Sequence, residues 1–213
     1  MDFTLDHPRH GKYRWDAPGR KLTLARSAGG QGGRFELYGT GTYSGGTILN
    51  GTNVEICVYN ANAFGSGPVT IDGSMFMNKA EMTITNAIVI GQNSQAANPG
   101  SFDFSAGNLT FSGDISGSGA TFVKNVDNTK TMTLSGNNSG FTGIWSASKG
   151  TLRFASPDAG SPNGTWIMGH NGAVLDFGGG TIHLGALSSS TEWAKILPAV
   201  NSGNYTIVVG EKN

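Results

Sequence analysis

The chain is poor in cysteine and in charge. One cysteine, Cys57, stands among 213 residues, so no internal disulfide can form, and its neighbours Ile56 and Val58 make it a small apolar group expected in the core rather than a reactive thiol. That scarcity fits the cytoplasm and bacterial exported proteins alike. Charged residues supply 13% of the chain and the formal net charge is +0. Lysine and arginine are scattered, which excludes the basic stripe that neutralises nucleic-acid phosphates. No apolar run approaches the ~18 residues of a membrane-spanning helix, and no charged leader followed by an apolar stretch opens the sequence. If the protein is exported, its signal is absent from this chain.

What the chain has in quantity is glycine, 34 residues. Glycine is costly inside helices and cheap at corners that need positive φ, so the chain is expected to turn often. Between the corners lie short period-2 alternations: Lys21-Leu22-Thr23-Leu24, Arg34-Phe35-Glu36-Leu37, Val54-Glu55-Ile56-Cys57-Val58, Val69-Thr70-Ile71, Met82-Thr83-Ile84-Thr85, Ala87-Ile88-Val89-Ile90, Phe102-Asp103-Phe104 and Leu109-Thr110-Phe111, then Thr131–Leu134, Thr151–Phe154, Val174–Phe177, Thr181–Leu184 and Tyr205–Val209. Each offers one apolar and one polar face, the mark of a half-buried strand. Helical potential is confined to Ser190–Leu197, which Pro198 closes.

The chain also nearly repeats itself. Leu37-Tyr38-Gly39-Thr40-Gly41-Thr42-Tyr43-Ser44-Gly45-Gly46 is answered by Leu134-Ser135-Gly136-Asn137-Asn138-Ser139-Gly140-Phe141-Thr142-Gly143, at offsets of 97 (37 to 134) and 98 (45 to 143). Many short strands with glycine corners suit a sandwich, a propeller or a solenoid, and a unit this long exceeds the ~40–50 residues of a propeller blade. Solenoid coils of about 20–25 residues fit four to a unit and eight or nine to the chain, a rod about 40 Å long at one strand spacing per coil. The expected fold is an all-β, right-handed, single-stranded parallel β-helix. Residues 1–30 form an N-terminal segment, irregular or capping, and residues 31–213 hold two units, the second incomplete.

Tyr43-Ser44-Gly45-Gly46-Thr47, followed by the Asn50-Gly51 turn and a further strand, resembles the passenger-associated strand repeat of bacterial autotransporters. Thr131–Asn138 is similar to the strand and turn that lead into that motif, and Ser112–Gly119 to its glycine-serine segment. The resemblance implies a β-helical passenger fragment at the outer-membrane surface or outside the cell. The second copy departs from the pattern at Phe141-Thr142-Gly143-Ile144, so a looser corner is expected there. No block of ~10-residue alternating membrane strands follows, and the last strand falls within a unit. The chain therefore reads as a piece of a longer surface polypeptide.

Chemistry is sparse. The outward carboxylates are Asp72, Asp103, Asp114, Asp158 and Asp176, and glycosidase pairs need about 5–9.5 Å between carboxyls. Asp103 and Asp114, near enough in sequence to share neighbouring strands or a corner, are the candidate pair for catalysis, weighed against solvated strand-face carboxylates. His7-Pro8-Arg9-His10 has metal-compatible spacing without a supporting cysteine or carboxylate cluster, so no metal and no cofactor are expected. His183 alternates outward. Trp145, Trp166, Trp193 and Tyr59 are the candidate binding residues, since an exposed aromatic stacks on a sugar ring or anchors a protein contact; burial in an aromatic stack is the competing reading. The insertion at Ser190–Leu197 is the loop favoured for function. The reading that follows is a secreted or cell-surface, adhesin-like β-helix presenting loops to a glycan or protein, with no nucleic-acid partner. The alternative is a hydrolase or lyase acting on host glycans or mucin-type glycoproteins.

Overall fold

The computed structural model describes residues 3–6, 19–25, 33–93, 100–124, 129–169, 172–189, 194–198 and 204–211. Every named strand pairing is parallel, and the strands fall into three sheets in which spatial order follows chain order. The first sheet has six strands: Phe3–Asp6, Leu22–Ala25, Thr47–Asn50, Val69–Asp72, Ile88–Ile90 and Ile115–Gly117. The second has nine: Gly33–Leu37, Val54–Val58, Met75–Asn78, Gly100–Asp103, Ala120–Lys124, Ile144–Ala147, Ser161–Met168, Gly180–Ser189 and Tyr205–Val209. The third again has six: Met82–Ile84, Leu109–Phe111, Thr131–Leu134, Thr151–Phe154, Val174–Phe177 and Lys195–Pro198.

The chain thus winds as a β-solenoid of about seven complete turns, with nine rungs in its longest sheet. Ile56 faces Phe76 and Phe76 faces Phe102, so some coils take 20 residues and others 26. The nine rungs of the second sheet span about 40 Å at the spacing of hydrogen-bonded strands. Among the described residues there is no α-helix, only single 3-10 turns at Ala61–Phe64 and Pro157–Ala159. Lys195–Pro198 is a strand, so any helical turn in the 190–197 segment stops short of it; residues 190–193 lie outside the described residues.

In-register stacking places like on like. Leu22, Leu24, Leu49, Val69, Ile71, Ile88 and Ile90 are buried along the first sheet while the residues between them face out. Rings make up much of the second and third sheets' share of the interior, beside aliphatics such as Ile56, Ile84, Leu109 and Leu152. Phe64, Phe76, Phe102, Trp145, Trp166, Phe154, Phe177 and Tyr205 form an unbroken succession with neighbouring centroids 5.0–5.9 Å apart. Such pairs add about 0.5–1.5 kcal/mol each beyond the area they bury. Trp145 reaches across the rung of Val123 to Phe102, its centroid 5.4 Å away, because the residue paired with it there is the smaller Thr121.

The corner at Tyr43–Thr47 shows why its sequence takes that form. Tyr43 is buried, its hydroxyl 2.7 Å from Thr47 Oγ1 and within reach of the Ala63 carbonyl one coil on. Ser44 Oγ accepts from the Gly19 N–H, and the Gly45 N–H donates to the Arg20 carbonyl, tying the corner to the coil before. Gly46 has φ +92°, and a Cβ there would meet the Pro68 carbonyl oxygen at 2.8 Å. The matching corner keeps Phe141 fully buried without a hydroxyl, and Gly143 lies so close to the Gly119 carbonyl that no Cβ fits between them. Tyr43 precedes a first-sheet strand, whereas Phe141 precedes a second-sheet strand and bridges to Gly117 of the first sheet. Their flanks differ: Leu37 belongs to the second sheet and Leu134 to the third.

Buried asparagines fasten one coil to the next. Asn138 Oδ1 accepts from the Ile115 N–H at 2.8 Å, and its Nδ2 donates to the Ala159 carbonyl at 2.7 Å, so a single side chain bridges the coils on either side. Asn86 Nδ2 similarly donates to the carbonyls of Gly65 and Gly67. Replacing Asn138 by alanine strands a buried donor and a buried acceptor. Asn138→Ala is expected to cost about 2–4 kcal/mol, read as a lowered urea midpoint, whereas Asn137→Ala at the exposed neighbouring position costs well under half as much. Equal midpoints for the two variants would contradict the clamp.

Candidate contact surface

Trp145 and Trp166 are 1% exposed, so they line the interior and no external ligand reaches them. The ring stack, not the binding surface, is the reading that holds for both. Each is held between rings: Phe141 lies edge-on to Trp145 at 5.9 Å and tilted against Trp166 at 5.7 Å. Trp166 Nε1 donates to the Ser161 carbonyl at 3.4 Å, while Trp145 Nε1 is buried with no hydrogen-bond partner. Trp193, His7, His10 and His170 lie outside the described residues.

The carboxylates are dispersed. Asp103 ends a second-sheet strand and accepts from the N–H and hydroxyl of Ser105. Asp114 precedes a first-sheet strand, is exposed, and accepts from the Asn137 N–H at 2.9 Å. The two lie on either side of the third-sheet strand Leu109–Phe111, each at its own corner with its own hydrogen-bond partners. Asp72 accepts from both the N–H and Nδ2 of Asn93. Asp176 pairs with Arg153 at 3.3 Å on the outer face of the third sheet, and exposed Asp158 lies in a 3-10 turn. His183 faces outward with its side chain 46% exposed, and its Nδ1 lies 2.8 Å from Glu211. Among the described residues no three His, Cys, Asp or Glu side chains gather as a metal site would require. Cys57 is fully buried, although alternation between Ile56 and Val58 and pairing with Glu36 and Met77 assign it to the outer face of its strand. Burial raises its thiol pKa.

Tyr59 alone among the described candidates presents an aromatic ring to solvent, and the fold supplies it with a partner the sequence reading passed over. Tyr38 and Tyr59 follow neighbouring strands of the second sheet, at the corner where the chain leaves it, and stack face to face with centroids 4.2 Å apart and planes 14° apart. They are 48% and 40% exposed. Tyr38 Oη donates to Glu36 Oε2 at 3.1 Å. A hydrogen bond to Tyr59, then lost hydration, then Glu36 raise the Tyr38 phenol above its ordinary pKa. Arg34 Nε and Nη2 grip Glu55 Oε2 at 2.8 and 2.7 Å on the same two strands. Behind the rings, Asn60 caps the Ala61–Phe64 turn through its own Oδ1, and its Nδ2 reaches the Tyr38 carbonyl and Thr40 Oγ1. Tyr59 is fixed from both sides, by buried Val58 before it and by the turn that buries Phe64 after it.

The burial of the two tryptophans gives a direct test. Phenylalanine at position 145 removes an indole N–H that has no partner, whereas at position 166 it removes one that is bonded. Trp145→Phe is expected to be the less destabilising change by about 1 kcal/mol, measured by chemical denaturation; the opposite order would refute that assignment.

No helix among the described residues is long and apolar enough to cross a membrane, which says nothing about β-barrel spans. No protein-family model and no solved structure matches the chain. The chain is 29% identical over 143 residues to the Adhesin BmaC autotransporter of Brucella suis biovar 1 (strain 1330), a match that takes in 67% of this chain and 4% of that protein. The chain therefore spans a small fraction of that relative's length. The match to an autotransporter adhesin and the parallel solenoid agree with the resemblance of Tyr43–Thr47 and its flanks to autotransporter passenger repeats.

Proposed function

We infer that this chain is a length of a secreted or surface-displayed bacterial column with an adhesin-like role, holding contact groups away from the cell on a stiff support. The observation that carries this reading is the combination of an uninterrupted parallel second sheet of nine rungs with similarity to an autotransporter adhesin over 67% of the chain. A column of this kind gains stability from each neighbouring coil and needs no compact globular core. Its corners carry the one aromatic pair among the described residues that stacks in the open, Tyr38 and Tyr59. The contact groups therefore belong on the corners, where an exposed ring is held by a rigid frame.

Beads coated with the folded chain are expected to be retained on a cultured epithelial layer in excess of beads carrying the same chain after heat unfolding. Equal retention of the two preparations counts against an adhesive role.

A further inference from the structure

We propose that the stacked pair Tyr38–Tyr59, with Glu36 and Asn60 beside it, is a binding ledge for neutral saccharide; this rests on the adhesin-like reading above and names the ligand class for it. Three observations carry it. First, the pair breaks the rule of the interior: Phe64, Phe76, Phe102, Phe141, Trp145 and Trp166 are buried, whereas Tyr38 and Tyr59 stand 48% and 40% exposed. Second, the rings are already ordered by their mutual stacking, by the Glu36 hydrogen bond and by the Asn60 contacts. A ligand meeting them does not have to immobilise mobile side chains, the cost that usually weakens recognition by surface groups.

Third, the charge around the ledge cancels. Arg34 and Lys79 stand against Glu36 and Glu55, with Lys79 following the next second-sheet strand at the same corner as Tyr38 and Tyr59. A balanced surround gives no electrostatic advantage to an acidic or a basic ligand. What remains is a flat aromatic surface edged by a carboxylate acceptor and amide and hydroxyl groups. Sugar rings match that surface: their C–H faces pack on aromatic carbon, and their hydroxyls donate to carboxylates and accept from amides. Each tyrosine keeps one face free of its partner, because the two rings share only the faces that stack.

Saturation-transfer NMR on the full chain with lactose, cellotetraose and N,N′-diacetylchitobiose, and with sialyllactose as an acidic counterpart, tests the assignment. At least one neutral saccharide is expected to receive saturation. Tyr59→Ala and Tyr38→Ala should each weaken that binding by about tenfold or more, while Tyr59→Phe, which keeps the ring, should retain most of it. Thermal melting of the variants checks the fold, and exposed positions of this kind are expected to leave it nearly unchanged. Absence of transfer to every neutral sugar, unaltered binding in both alanine variants, or a preference for sialyllactose over lactose would each overturn the proposal. Bead retention on cells that survives enzymatic removal of the cells' glycans would also overturn it, while leaving the adhesin-like role standing with a protein contact in its place.

Discussion

Parallel register is the constraint on which the rest of this protein depends. Because each coil lies on the last with its strands in step, the residue at one interior position is pressed against its counterpart a coil away, and the hydrogen-bond ladders hold that pairing along the column. A side chain is therefore chosen for fit against its equivalents above and below. Phe154 and Phe177, register partners on the third sheet, stack within 11° of parallel, and Tyr205 of the second sheet lies within 9° of parallel to Phe177. Where a small residue intervenes, as Thr121 does, the next large ring reaches past it.

The corners answer a different demand. Leaving a sheet exposes backbone N–H and C=O groups that the ladders no longer satisfy, and an unsatisfied buried group is expensive. Asparagine meets this need because one amide offers both a donor and an acceptor, as Asn138 does between Ile115 and Ala159. Glycine meets the spatial part, letting carbonyls such as that of Gly119 approach where a side chain would block them. The Tyr-Ser-Gly-Gly-Thr sequence at 43–47 combines both solutions: a ring inward, a hydroxyl to the preceding coil, and two glycines where the backbone crowds.

Much of this was legible in the alternations. Strands such as Val69–Asp72 and Thr131–Leu134 have one residue in and one residue out, and their period of two is plain. Met75-Phe76-Met77 and Ile144-Trp145-Ser146-Ala147 also alternate in the fold, but apolar outward residues blur the pattern in the sequence. Ser161–Met168 is hidden by its proline and glycine. The tryptophans of the second sheet were ambiguous because sequence alone cannot say which side of a strand a ring takes when both neighbours are uncharged; the third dimension assigned them to the interior. Tyr38 was missed for another reason. Its partner lies 21 residues ahead, one coil, and a pairing at that distance becomes visible only once coil length and register are known together. Asp103 and Asp114 illustrate the same limit: residues near in the chain take separate corners of a solenoid, here on either side of one short strand.

Clamps that reach both ways along the column have a mechanical corollary. A coil bound to its neighbours only through ladders and interior packing can detach singly when force is applied at one end, whereas the coil carrying Asn138 is fastened to the one before and the one after through the same amide. Peeling that coil from either neighbour must break one of these buried bonds as well as the ladder, which raises the cost of detaching it.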